Sequence, residues 1–214
     1  MVRQRVSDRM RPSHRDWSWR RGLPVLTDGT VTLRELRARD ARSLLAHVCK
    51  PSVLRYIAPS PSTVEGFKRF VKWTHLQRRA GVHACFGIVP PGETSAIGLL
   101  QIWPIELDFS TAEWGFVLSD SYWGTGLFVS GARLLLDFAF GTLGVHRLEA
   151  RSAEANARGN GVLRKLGATR EGVLRRAFRD GDELRDHVMW SILADEWFLR
   201  RESGAKATEE DGTA

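Results

Sequence analysis

Cysteine is scarce in this chain, with two among 214 residues, Cys49 and Cys85. They lie far apart and match neither a zinc-finger nor a redox-motif spacing. That excludes a disulfide framework and a cysteine-built metal site, and fits reduced core thiols in a cytoplasmic protein. No stretch approaches the about 18 consecutive apolar residues of a membrane helix. The first 21 residues also lack the apolar segment of a secretion signal. There is no internal repeat and no long low-complexity segment, so repeat architectures are excluded as well. What remains is a hydrophobic content of 43% with 27% charged residues, enough for one domain with a sizeable core.

The net charge of +7 is spread unevenly. Residues 1–21 carry Arg3, Arg5, Arg9, Arg11, Arg15, Arg20 and Arg21 against Asp8 and Asp16, a surplus of +5. Residues 202–214 carry Lys206 against Glu202, Glu209, Glu210 and Asp211, a balance of −3. Both segments read as disordered tails flanking a domain at 22–201. The basic tail offers an electrostatic contact to nucleic acid, and it is the only such feature in the chain.

Within the domain, Thr30–Glu35 alternates apolar and polar residues, as a half-buried strand does. Arg39-Asp40 opens a helix with Ala41, Leu44, Leu45 and Val48 on one face. Pro51, Pro59 and Pro61 then mark a loop. A second helix starts at Ser62-Thr63-Val-Glu65, carries Phe67, Phe70, Val71 and Leu76, and stops at Gly81. Strands are expected at His83–Val89 and Ala96–Trp103, joined by Pro90-Pro91-Gly92, and at Ala112–Leu118. A helix at Gly126–Phe140, a strand at Arg147–Ser152 and a short helix at Ala157–Leu166 follow. Two strands at Arg170–Arg179 and Leu184–Leu193 meet at Asp180-Gly181-Asp182, and a last helix covers Ala194–Arg200. The order β-αα-βββ-α-β-α-ββ implies an α/β (α+β) domain, with helices on both faces of a mostly antiparallel sheet.

One stretch points to chemistry. Tyr122-Trp-Gly-Thr-Gly-Leu-Phe128 lies between a strand and a helix start, a geometry that presents unpaired N–H groups and the positive helix end to a phosphate. Gly124 and Gly126 remove the Cβ atoms that would hold a pyrophosphate off. The turn follows antiparallel-type strands near mid-chain, whereas a dinucleotide-binding fold would repeat strictly as βαβ.

Taken with Leu143-Gly-Val-His-Arg-Leu-Glu-Ala150, Asn156-Ala-Arg158 and Arg164-Lys-Leu-Gly167, this turn resembles the GNAT acetyltransferase superfamily. The similarity spans Leu23 to Leu199, and the nearest branch resembles bacterial acetyltransferases of ribosomal-protein N-termini. The resemblance implies the GNAT fold, acetyl-CoA as co-substrate, no metal, and direct acetyl transfer to an amine. It further implies that Trp123, Gly124, Thr125, Gly126, Leu127, Phe128 and Val129 cradle the pyrophosphate. Phe116, Val117 and Leu118 would run beside the pantetheine, with Asn156 on the cofactor arm and Arg158 either on a phosphate or solvated. The family pattern Arg/Gln-x-x-Gly-x-Gly/Ala appears here as Trp123-x-x-Gly126-x-Phe128, and a branch-typical Thr-Glu-Ala is replaced by Val129-Ser-Gly131. These departures fall on side chains, whereas the phosphate contacts use backbone N–H groups.

Acetyl transfer needs a neutral amine, so a carboxylate must take its proton directly or through water. Glu113, on the apolar strand before the turn, matches the family's general base. The other reading is a structural glutamate paired with an arginine. An N–H at Phe116 or Val117 is placed to stabilise the oxyanion. The family's leaving-group acids, a tyrosine or serine on the short helix, correspond here to Leu163 and Gly159, so that acid is unassigned. Trp73, Trp103 and Trp114 are candidates for an acceptor groove or for packing, His187 for the acceptor pocket or for a solvated or packed position, and His146 for a structural role. The expected protein is a monomeric or homodimeric cytoplasmic N-acetyltransferase with no membrane partner. Its favoured acceptor is a protein N-terminal amine, the alternatives being a small-molecule amine or an inactive acyl-CoA-binding protein.

Overall fold

The computed structural model describes residues 18–57, 60–180 and 183–211. Most of the basic tail, and the Gly181-Asp182 turn expected between the last strands, lie outside the described residues. The eight strands are β1 (Leu26–Thr27), β2 (Thr32–Glu35), β3 (Ala84–Val89), β4 (Gly98–Pro104), β5 (Thr111–Leu118), β6 (Arg147–Ala153), β7 (Thr169–Asp180) and β8 (Glu183–Leu193). The helices are α1 (Asp40–Val48), α2 (Pro51–Leu54), α3 (Val64–Ala80), α4 (Leu127–Phe138), α5 (Ala157–Lys165) and α6 (Ala194–Asp211). The strands form one sheet in the order β1-β2-β3-β4-β5-β6-β8-β7. All neighbours are antiparallel except β5 and β6.

Alternation along the strands builds two cores. Phe86, Ile88, Leu100, Ile102, Trp114 and Leu148 face α4 and α5, while Cys85, Val89, Leu99 and Val117 face α1 and α3. A fully buried aliphatic or phenylalanine side chain among these, such as Leu100 or Phe86, contributes roughly 1.5–3 kcal/mol. Burial also pushes the Cys85 thiol up, which leaves it unreactive.

Element ends follow local chemistry. The Thr63 side chain caps α3 by accepting from Gly66 N at 3.0 Å, and Gly81 closes it in the left-handed region at φ 79. Three features differ from the sequence expectation. The Pro51 segment is a short helix, because proline has no lost bond at a first helical position. α6 continues past Arg200 to Asp211. Trp19, counted with the basic tail, packs edge-on against Phe109 at 5.6 Å, so the folded body starts before residue 22.

One feature of the sheet positions the site. β5 and β6 pair only from Thr111–Glu113 to Arg147–Glu149, then part, while β5 stays on β4 to Leu118 and β6 stays on β8 to Ala153. The strands splay into a slot whose β5 side carries unpaired backbone groups.

Candidate active site

The glycine turn closes the open end of this slot. Gly124 and Gly126 hold φ of 79° and 85°, a region that L side chains rarely adopt, and a Cβ on either would project into open space. Gly126 is the N-cap of α4 and brings no side-chain cap. The first α4 amide with a backbone acceptor is Ser130 N, which reaches Gly126 O at 3.2 Å. Leu127 N has only a long 3.4 Å approach to Thr125 Oγ1. The N–H groups of Phe128 and Val129 therefore have no partner among the described residues, and with the helix dipole they give this end of α4 a positive potential.

Lys50 Nζ reaches Asp120 Oδ1 at 2.6 Å and Ser52 Oγ donates to Asp120 Oδ2 at 2.8 Å, which ties α2 to the turn. The hydrogen bond from Lys50, then that from Ser52, hold the Asp120 carboxyl down at about 2.

A cavity of about 450 Å³ occupies the slot beneath the turn. β5 contributes Phe116, Val117 and Leu118 to its wall, the turn Trp123, Gly124 and Gly126, and α4 Phe128 and Val129. α5 adds Asn156 and Arg158. Of the expected contacts, Thr125 and Leu127 do not line it. Thr125 Oγ1 donates to Tyr122 O at 2.9 Å and braces the turn, and Leu127 is turned into the core.

The ring of Phe128 packs against that of Phe116 at 4.7 Å, and both line the cavity. Trp123 donates its indole N–H to Leu118 O at 3.0 Å, and the Arg158 guanidinium lies 3.7 Å from the centre of its ring system. Asn156 caps α5 through Oδ1, which accepts from Gly159 N at 2.9 Å, leaving its amide Nδ2 to donate elsewhere. Sequence reasoning missed Ser52 and Val53 of α2, because that helix reads as a loop, and it also missed Tyr56, Ile57 and Lys165 on the cavity wall.

Backbone alternation settles which strand amide faces the slot. Ser119 N donates to Ile97 O at 3.1 Å, toward β4, so Val117 N points the same way and Phe116 N points into the slot.

Glu113 lies on the other face of β5, paired across to Trp103 and Glu149, and does not line the cavity. Its side chain is 17% exposed, with Arg151 Nε 3.5 Å away. Burial, with the like charge of Glu149, raises its pKa against the opposing pull of Arg151 and the Trp103 indole.

On the same face, His83 lies between Trp73 at 5.1 Å and Trp103 at 6.3 Å, and burial pushes its pKa to about 4, so it is neutral at pH 7. Trp73 and Trp103 thus border the Glu113 side, whereas Trp114 is 2% exposed in the opposite core and lines no groove. His187 stacks on Phe178 at 4.8 Å, and exposed His146 uses its backbone to join Ser110, just before β5, to the first residue of α6. Leu163 is buried in the core, while Gly159 lines the cavity.

An α4 end with free N–H groups and a splayed parallel pair beside it leave an open, amide-lined slot on an α/β scaffold. The family model described as "Acetyltransferase (GNAT) domain" matches residues 30–169. The chain belongs to the GNAT acetyltransferase family and is an N-acetyltransferase. It is similar to the probable N-acetyltransferase YjcK of Bacillus subtilis, at 31% identity over 79% of this chain and 97% of that protein. It is also similar to spermidine N(1)-acetyltransferase of Escherichia coli, at 27% identity over 81% of this chain and 91% of that protein. The fold is shared with a solved structure of RimL, a ribosomal L7/L12 alpha-N-protein acetyltransferase in complex with coenzyme A. That likeness has a TM-score of 0.70 at 20% identity, over 81% of this chain and 99% of that one. The GNAT family uses acetyl-CoA.

Proposed function

We propose that the cavity holds acetyl-CoA and that this chain transfers the acetyl group to a protein N-terminal amine. The observation that carries the cofactor assignment is the meeting, in one cavity, of the unpaired Phe128 and Val129 amides with the open edge of β5. Arg158 and Lys165, both on that wall, add positive charge suited to phosphates. Acetyl-CoA supplies an activated acetyl thioester. Phe116 N–H faces the slot and donates to the thioester carbonyl oxygen as negative charge develops there.

Glu113 accepts the amine proton. It is three residues from Phe116, roughly 10 Å along the strand at about 3.3 Å per residue, so the proton crosses by way of water. Its raised pKa brings it closer to a base poised for neutral pH.

A peptide N-terminus suits the Glu113 face, because α1 and α3 pack over β3, β4 and the end of β5, and Arg151 of β6 is exposed beyond them. A polyamine acceptor is the second reading. The neighbouring carboxylates Glu113 and Glu149 beside the Trp73 and Trp103 rings favour it, as does the spermidine-acetylating relative.

A panel of N-terminal peptides and polyamines, assayed by release of free CoA thiol, separates the two. Peptides turned over at least about tenfold more efficiently than spermidine, a gap of about 1.4 kcal/mol in transition-state binding, are the expected result. The reverse order would establish the polyamine reading. CoA binding with no thiol released by any acceptor would leave a catalytically inactive binding protein.

A further inference from the structure

Gly115 lies inside β5 with a φ outside the left-handed region, so its backbone conformation does not account for a glycine there. Trp103 of β4 does. A Cβ on Gly115 would stand 3.0 Å from Trp103 Cη2 and 3.3 Å from Cζ3, so the indole lies across β5 where residue 115 has no side chain. On the side of β3, His83 stacks on the same indole, with ring centroids 6.3 Å apart and planes at 23°. Gln101 holds His83, its Oε1 3.1 Å from Nε2, and α3 contributes the uncharged Trp73 ring at 5.1 Å. The Trp103 ring is thus wedged between the strands on either side of its own.

Trp103 is paired directly across from Glu113, so the two side chains rise from the same face of the sheet. The indole acts on the Glu113 carboxyl as a hydrogen-bond donor and favours its ionised form. The charged groups that face Glu113 come from β6. They are Arg151, whose Nε is 3.5 Å away, and Glu149, which is itself paired with Arg147 at 2.8 Å. His83 is neutral at pH 7. Arg151 is 43% exposed and its contact is long, so its hold on the carboxylate is weak. The packed indole is the rigid partner.

We propose that Trp103 is a positioning residue for Glu113: wedged between Gly115 and His83, its indole N–H holds the carboxylate in one place to receive the amine proton. The proposal rests on Glu113 being the base of the transfer. The proton passes through water to Glu113, and Trp103 donates the same N–H before and after, so it gains and loses no proton. Holding the base matters because a misplacement of about 1 Å can cost about 100-fold in rate.

The test uses Trp103→Phe, which keeps a ring and loses the N–H, and Gly115→Ala, whose Cβ pushes the indole off β5. Two readouts are taken on the full chain. One is the pH titration of the Glu113 carboxyl carbon by NMR, assigned through Glu113→Gln. The other is kcat and KM for the peptide or polyamine that the acceptor panel shows to be turned over fastest. Trp103→Phe should move the Glu113 titration, and the acid limb of kcat with it, to higher pH. At neutral pH kcat should fall about tenfold while the acceptor KM stays within about twofold. Gly115→Ala should shift both readouts the same way, and it carries the test if Trp103→Phe does not fold. An unmoved Glu113 titration would overturn the positioning role. So would an unchanged kcat with a raised KM, which would make Trp103 an acceptor contact instead. A Glu113→Gln chain that keeps the wild-type rate, or no turnover of any acceptor, would overturn the base assignment itself, and this proposal with it.

Discussion

Glu113→Gln is expected to lower the rate of acetyl transfer at neutral pH by about 100-fold, the lower end of what a positioned general base contributes. The substitution keeps the shape of the side chain and removes its ability to take a proton. The pH profile carries the sharper information. Burial first, and Glu149 in addition, raise the Glu113 pKa despite Arg151 and the Trp103 indole. The base is active only when ionised, so the wild-type rate should fall with decreasing pH through a limb above the ordinary glutamate value of about 4.3. In Glu113→Gln that limb should vanish.

Stability gives the second readout. A carboxyl group whose folded pKa is raised binds its proton more tightly in the folded state, so its ionisation above that pKa weakens the fold. Glu113→Gln should therefore leave the urea midpoint unchanged or higher. A glutamate kept only for its ion pair with Arg151 would show the opposite, a lower midpoint with the rate unaffected.

Asp40→Ala is expected to cost about 3–5 kcal/mol of folding stability, because it strands a buried arginine. Asp40 is fully buried at the start of α1, and its two oxygens meet Arg34 at 2.8 Å each. It also accepts from Arg37 N at 2.7 Å and from Ala96 N at 3.1 Å, joining β2, α1 and the loop before β4. Burial alone would raise its pKa, but the Arg34 hydrogen bonds and the two amides win, and the pKa is lowered. The sign follows directly. The stabilisation is fully present above the unfolded carboxylate value of about 3.9 and is lost as pH falls through the lower folded value. Urea unfolding should show a constant gap between wild type and Asp40→Ala from about pH 5 to 8, narrowing only in acid below about pH 4. A gap below about 1 kcal/mol at pH 7 would contradict this account of the pair.

How far these sites were legible in the sequence depended on how local their cause is. The conformation of the glycine turn was, because glycines just before an amphipathic helix mark a tight turn at positive φ. The parity of β5 was left unused: Trp114 stood beside Trp73 and Trp103 as a candidate for a groove or for packing, whereas it alternates with Glu113 and enters the opposite core. α2 was lost because Pro51 reads as a breaker, although at a first helical position it starts a helix. That loss hid the wall made by Ser52 and Val53. The choice between Phe116 and Val117 needed the β4 hydrogen bonds, a relation that is not encoded within one segment.

Calorimetric titration of CoA into the full chain and into Gly126→Asp tests the phosphate cradle most directly. The substituted residue would carry a side chain at φ 85, a strain of about 1–3 kcal/mol, and would set a negative charge at the α4 end. One CoA bound per wild-type chain, with affinity falling as salt rises, and at least about tenfold weaker binding to Gly126→Asp is the expected result. Equal affinity in the two proteins would contradict the assignment of the α4 amides to the cofactor's phosphates.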